Sequence, residues 1–414
     1  MSNDAPLDLD LVRAQFPAFD NEGGTTFFEN AAGSFACRQT IDALTRYYTE
    51  TKVQPYSAYA ASAAAGAAMD RARARWAEAL GVTDDEVVFG PSTSANTYVL
   101  ANAFADVLGP GDEVVVTNQD HEANTGAIRR AAERAGAAVV EWPIDPESGL
   151  LDIDEFAVLL TDRTRVVTLP HASNIIGQEN DVARVCALAH GVGARVVVDG
   201  VAFAPHGIPD VAALDADVYL FSLYKTYSVH QGLMAVRNGL LDELPNQGHF
   251  FNAEAPDKRL NPAGPDHAQV AASAAVLDYI ELLDAAHEPN GGGSLGAACR
   301  RVADRWQAHE TALTAELLAA LAAMEEVRVL GPTSAHEQAL HRCPTLAFVS
   351  RNESSATVSN RLVERGIKTN SGHFYAWRLL DAMGVDPEEG VVRLSFVHYT
   401  RQSDVEHAIA ALEP

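Results

Sequence analysis

Lys225 is one of four lysines in the chain, with Lys52, Lys258 and Lys368. It follows directly on the apolar and aromatic run Val218-Tyr219-Leu220-Phe221-Ser222-Leu223-Tyr224. An amine desolvated in such a setting gives up its proton more readily and becomes a usable nucleophile. The plain alternative is a lysine that reaches from a strand end to water. Asp199 stands 26 positions earlier, at the end of Arg195-Val196-Val197-Val198-Asp199 and before Gly200. A carboxylate at the C-terminal end of a parallel strand lies where open α/β sheets bind ligands. Once buried it needs a cationic partner, which a protonated pyridine nitrogen would supply. A helix cap or a salt-bridged core aspartate is the alternative.

Three further positions carry possible chemistry. Gly90-Pro91-Ser92-Thr93-Ser94-Ala95-Asn96 follows a short strand and opens a helical stretch, so its hydroxyls and free N–H groups form an anion site or an ordinary N-cap. His121, in Asn118-Gln119-Asp120-His121-Glu122, lies just past another strand, where an imidazole would stack on a ring, shuttle a proton or cap a helix. Arg393 interrupts the apolar strand Val391-Val392-Arg393-Leu394-Ser395 and calls for a carboxylate, from a substrate or from an internal salt bridge. Other patterns fail. Gly191-Val192-Gly193 precedes a strand, so it is no dinucleotide fingerprint, and His336-Glu337-Gln338-Ala339-Leu340-His341 misses the metalloprotease spacing by one residue. No Walker lysine and no nucleophile signature at Cys37, Cys186, Cys299 or Cys343 is present.

These residues sit in an alternating pattern. Short β-rich runs at Val87–Phe89, Glu113–Thr117, Ala138–Trp142, Val166–Leu169, Arg195–Asp199, Val218–Ser222 and Leu233–Val236 are separated by Ala-rich helical stretches such as Thr125–Ala135 and Val182–His190. Continuous apolar strands alternating with helices predict a mainly parallel sheet covered on both faces. The pattern changes at Glu288-Pro289-Asn290-Gly291-Gly292-Gly293-Ser294. After it come a long helix near Gly296–Met324, strands at Arg328–Leu330 and Thr345–Val349, a helix near Ser355–Arg365, a strand at Val391–Phe396 and a closing helix at Asp404–Leu412, which together predict an α+β domain of about 120 residues.

Composition sets the bounds. The 414 residues are 47% hydrophobic and 21% charged, with a net charge of −26. That length is ample for two domains. The acidic balance and the absence of basic clusters argue against nucleic acid and anionic membranes as partners. Four scattered cysteines fit a reducing compartment, the start Met1-Ser2-Asn3-Asp4 is no signal peptide, and the Ala-rich stretch Ala58–Met69 is too short for a bilayer, so a cytoplasmic protein is expected.

Taken together, Lys225, Asp199, His121 and the Ser92–Ser94 loop resemble the class V, fold type I, pyridoxal phosphate (PLP) dependent aminotransferases, and within them the cysteine desulfurase and selenocysteine lyase branch. The resemblance runs from Phe28-Glu29-Asn30-Ala31-Ala32, similar to the family's opening Leu-Asp-Asn-Ala-Ala, to the Arg393 strand. It implies an α/β fold type I PLP-transferase. A large PLP-binding domain (26–290) holds a mainly parallel seven-stranded sheet, a smaller C-terminal α+β domain spans 291–414, and an N-terminal segment (1–25) packs on the small domain. It implies that Lys225 joins the cofactor as a Schiff base, Asp199 keeps the pyridine nitrogen protonated and His121 stacks on the ring. Thr93 and Ser222 would hold the phosphate, with Ser92 and Ser94 as neighbours. Asn174 would contact substrate or the ring hydroxyl, and Arg393 would take the substrate carboxylate. The resemblance also implies a homodimer with sites at the subunit interface, and Asn261-Pro262-Ala263-Gly264-Pro265-Asp266 lies where the partner's phosphate contact would arise.

The departures from that branch bear on the reaction. Desulfurases carry a persulfide-accepting cysteine before the arginine strand, whereas here the loop reads Thr369-Asn370-Ser371-Gly372-His373-Phe374-Tyr375-Ala376-Trp377. Tyr224 stands where desulfurases have His, and Ala202 where they have Gln. The expected activity is that of a PLP-dependent lyase or desulfinase cleaving at Cβ of an amino acid, with an aminotransferase or epimerase as the alternative. His373, Tyr375 and Tyr224 are expected to steer that choice. A non-catalytic binding module is the reading from another class, and an intact Lys225 and Asp199 speak against it.

Overall fold

A computed structural model of the chain describes residues 6–21, 26–333 and 342–413. The His336–His341 stretch, and parts of the 1–25 segment, fall outside them.

The seven β-rich runs become strands β1 (Val87–Gly90), β2 (Glu113–Thr117), β3 (Ala138–Trp142), β4 (Thr164–Pro170), β5 (Arg195–Asp199), β6 (Val218–Ser222) and β7 (Gly232–Val236). They form one sheet in the order β3-β2-β4-β5-β6-β7-β1. The strands from β3 to β6 pair in parallel, and β7 runs antiparallel to both β6 and β1. Six strands therefore end at one edge of the sheet, and β7 begins there. The chain steps outward from β2 to β3 and then crosses back to β4, which makes a topological switch point at that edge.

Both faces of the sheet's central strands are buried, because the middle positions of those strands are apolar. In β5, Val196 and Val198 join one hydrophobic cluster with Trp76, Phe221 and Trp306, while Val197 joins the opposite one with Leu100, Ile128 and Met234. Each such buried side chain contributes roughly 1.5–3 kcal/mol relative to exposure.

The C-terminal part carries a four-stranded antiparallel sheet of β8 (Val327–Leu330), β9 (Thr345–Ser350), β10 (Asn370–Gly372) and β11 (Val391–Ser395), in the order β10-β11-β9-β8. The helix Leu295–Ala322 buries Leu313, Leu317 and Leu321 against Phe348, Leu394 and Phe396. Near the N-terminus, Phe16 packs edge-on to Tyr227 and Tyr279 as well as to Tyr399, so this segment touches residues from both parts of the chain.

Some elements escaped the sequence reading. The helices Arg38–Glu50 and Ala60–Leu80 are absent from it. In the second, the alanine-rich first half blurs the apolar period that marks a helix, and the end is set by Gly81 at φ +72°. The short, polar β10 gives no strand signal; it exists because β11 offers it a partner edge. Among the described residues, no helix is long and apolar enough to cross a membrane.

Candidate active site

The tertiary structure gathers the candidate residues from the ends of several strands. Asp199 closes β5, Ser222 closes β6 with Lys225 three residues on, and His121 follows β2. Asp199 is buried, and its carboxylate accepts a hydrogen bond from the Val201 N–H at 2.9 Å. No ion-pair partner reaches it among the described residues. Burial pushes its pKa up to about 6, opposed by that hydrogen bond and by the positive charge of Lys225. Burial likewise brings the Lys225 amine down to about 8; the nearby Arg393 charge pushes the same way and Asp199 opposes it.

His121 caps the helix Glu122–Ala135 and faces the charged residues at once. Its Nδ1 accepts from the Ala123 N–H at 3.0 Å, which leaves the ring proton on Nε2. Burial, with the charges of Lys225, Arg393 and His373, holds its pKa down at about 3, so the imidazole is neutral. Behind it lies Asp120, which the sequence reading passed over. This buried carboxyl accepts from the His121 N–H at 2.8 Å and from Asn124 Nδ2 at 2.5 Å. Burial and the neighbouring Asp199 charge raise its pKa well above the carboxylate range. An acid directly before a strand-end histidine was the available signal.

At the N-terminus of the helix Thr93–Ala105, Thr93 Oγ1 and Ser222 Oγ lie 2.7 Å apart, both buried. Ser92 caps the helix, its Oγ accepting from the Ala95 N–H at 3.1 Å, and Ser94 is exposed on the first turn. Gly232 keeps this corner tight: a Cβ there would stand 2.3 Å from the Ser92 carbonyl carbon and 2.5 Å from the Thr93 nitrogen. Two hydroxyls beside unpaired first-turn N–H groups fit an anion such as phosphate. Asn261–Asp266 borders the outer side of the Gly90–Asn96 loop, sharing a cavity of about 480 Å³ with it.

Arg393 reaches the region from β11. It is 3% exposed and has no carboxylate partner among the described residues. Its Nη1 donates to the Asn174 carbonyl at 3.0 Å, and its guanidinium lies 3.7 Å from the centroid of the Phe374 ring. Burial brings its pKa down to about 10, with Glu29 opposing. Asn174 Nδ2 in turn donates to the Phe374 carbonyl at 2.9 Å. The loop bearing His373 is clamped further by the Glu122 N–H, which donates to the Tyr375 carbonyl at 2.8 Å. Phe374 and Tyr375 both sit at positive φ, 47° and 60°, which costs about 1–3 kcal/mol each unless surroundings impose it. The Tyr375 ring lies 5.1 Å from His121 and 5.9 Å from His373. Tyr224 stacks on His230 at 4.6 Å, and its ring centroid is 6.0 Å from Lys225 Nζ. Phe374 and His230 were not singled out in the sequence; an aromatic ring over an arginine shows only after folding.

The family model for class-V aminotransferases matches residues 26–407. The chain belongs to that family. This class-V chain is 33% identical to the aminotransferase-like protein FGM3 of Gibberella zeae over 98% of each chain, and 28% identical to a probable cysteine desulfurase of Vibrio cholerae, again over 98% of each. Among solved structures it is similar to the cysteine desulfurase CsdA of Escherichia coli, with a TM-score of 0.82 and 26% identity over 99% of this chain and 98% of the other. The class-V chain is a PLP-dependent, cysteine desulfurase-like enzyme.

The residues present fit that cofactor. A buried carboxylate without a cation suits a pyridinium, a desolvated amine suits an aldehyde, and the Thr93–Ser222 corner suits a phosphate. The first test is kinetic. The neutral amine is the nucleophile, so reconstitution of the apoenzyme with PLP should speed up as pH rises through about 8 and level off above it. A rate still climbing steeply above pH 10 would show that Lys225 is not desolvated.

Proposed function

We propose that the enzyme cleaves a bond at Cβ of a small amino acid, as a lyase or desulfinase whose leaving group needs no thiol acceptor. The observation that carries this is the set of four cysteines, all buried. Burial raises every one of their thiols, Cys186 and Cys299 to about 12. A thiol held protonated and away from water is a poor sulfur acceptor, and the loop Thr369–Trp377 carries none. Likeness to cysteine desulfurases favours Cβ chemistry, and selenium or sulfinate departs without persulfide transfer.

In this reading PLP supplies a sink for the electron pair left at Cα. Lys225 Nζ binds the cofactor and then moves the Cα proton. Asp199 holds a proton on the pyridine nitrogen, His121 covers the ring, and Thr93 with Ser222 holds the phosphate, Ser92 and Ser94 standing beside them. Arg393 takes the substrate carboxylate, Asn174 and Phe374 fixing its fork, while His373, Tyr375 and Tyr224 border the side chain. The reading divides the chain at 290/291 and pairs two copies as a dimer acting in the cytoplasm.

Arg393 gives a separate test. An Arg393→Gln variant loses a buried, bidentate charge partner, so kcat/KM should fall on the order of a hundredfold, mostly through KM. Visible PLP absorbance should stay unchanged. An unaltered KM would remove Arg393 from the substrate.

The reaction itself is decided by proton NMR in deuterated buffer, with PLP-loaded enzyme offered cysteine, cysteine sulfinate, selenocysteine and plain amino acids. Alanine from a Cβ-substituted substrate is the expected product. A keto acid would replace this reading by transamination, the chemistry in the name of the Gibberella zeae relative, and Cα–H exchange without alanine or keto acid would replace it by epimerisation.

A further inference from the structure

A second cavity, of about 410 Å³, has walls from both parts of the chain, and none of Lys225, Asp199, His121, Thr93, Ser222 and Arg393 lines it. Glu310 from the helix Leu295–Ala322 lines it and is 2% exposed. Its Oε2 accepts from His206 Nδ1 at 2.9 Å, while Oε1 has no hydrogen-bond partner. Glu179 lines the same cavity, with Oε1 3.6 Å from Cys343 Sγ. Burial and the Glu310 charge raise its pKa to about 7, against His206 and the Cys343 contact. The buried Arg342 also lines the cavity; its Nη atoms donate to the Pro332 and Thr345 carbonyls, and its Nε has no hydrogen-bond partner. Phe203, Ile208 and Leu214 add apolar wall between charged and polar residues that include Asp210, Arg300, Asp304 and Gln307.

A carboxylate oxygen buried without a donor costs free energy that a bound N–H donor restores. Four acids (Glu179, Asp210, Asp304 and Glu310) line it against two arginines, of which Arg300 is paired with Asp210, and with the apolar carbon between them they are complementary to a positive charge on a short hydrocarbon body. We propose that this cavity binds a small organic cation with N–H donors, an ammonium head received by Glu310 Oε1 and Glu179. The ligand would rest on the stretch that ends the Asn174 loop, because Ala172 bridges to Glu179 and Gln178 to Arg342. A quaternary ammonium, which has no N–H, is excluded from this class.

The probe is piperidinium, a secondary ammonium on an apolar ring, titrated calorimetrically into the PLP-loaded enzyme, with choline as the comparison. Expected is one saturable site per chain for piperidinium and none for choline. In Glu310→Gln the affinity should drop about tenfold or more, the loss of one charge-assisted hydrogen bond; Glu179→Gln serves the same purpose if that variant does not fold. Lys225→Ala should bind as the wild type does. Absence of saturable binding overturns the proposal, as does equal affinity in both glutamine variants. Binding lost in Lys225→Ala would assign the probe to the PLP site and overturn it too.

Discussion

Replacing Lys225 by Ala will leave a folded protein that takes up PLP without a covalent bond and turns over on the order of 10⁴-fold more slowly. The loss is large because, in the proposed function, one Nζ serves twice, as the attachment of the cofactor and as the group that moves the Cα proton. Its desolvation, which brings the amine to about 8, is what lets it do both near neutral pH. Borohydride reduction followed by mass spectrometry should show a fixed pyridoxyl adduct in the wild type and none in the variant. Added methylamine should restore part of the turnover, since a free amine can carry the proton. If the variant keeps the adduct, another of the four lysines holds the cofactor and the site has been misplaced.

Asp199→Asn is expected to lower kcat on the order of 10³-fold while leaving PLP bound. Removing one partner of a buried ion pair costs about 3–5 kcal/mol, and in the proposed function the lost partner is the one that keeps the ring nitrogen protonated. The apoprotein should respond in the opposite sense. The folded pKa of Asp199 lies above its unfolded value, so the carboxylate adds stability as pH falls from about 6 toward 3.8 and withdraws it at neutral pH. The neutral, isosteric amide relieves that burden. Melting of the apo variant at pH 7 should therefore occur no lower than in the wild type, while the gain in melting temperature on adding PLP should be smaller than in the wild type. A clear drop in apo melting temperature would mean that Asp199 is held by a partner other than the cofactor.

The sheet was readable because its strands are buried on both faces. Val196–Val198 and Val218–Phe221 are unbroken apolar and aromatic runs, and the observed strands Arg195–Asp199 and Val218–Ser222 match the expected ones residue for residue. Ala60–Leu80 was unreadable for the converse reason, since its alanine-rich first half offers little polar contrast to set a period. At the site, types and spacing pointed to Lys225, Asp199 and His121 because strand ends of a parallel sheet converge on one edge whatever the side chains between them. The state of each group was not legible. His121 is neutral because it is buried near Lys225, Arg393 and His373, and no local pattern announces that.

The sequence by itself determined the strand succession and the class of cofactor, since both follow from apolar runs and from residues fixed just beyond them. Only the tertiary structure decided that Arg393 lacks an acid and rests on Phe374, that Asp120 stands behind His121, and that Glu179 and Glu310 share a cavity. Apart from the adjacent Asp120 and His121, those contacts join residues 19 positions apart (Phe374 and Arg393) and 131 apart (Glu179 and Glu310). Local pattern carries no information about such pairs, because burial, and the pKa values it shifts, exist only once distant elements have packed.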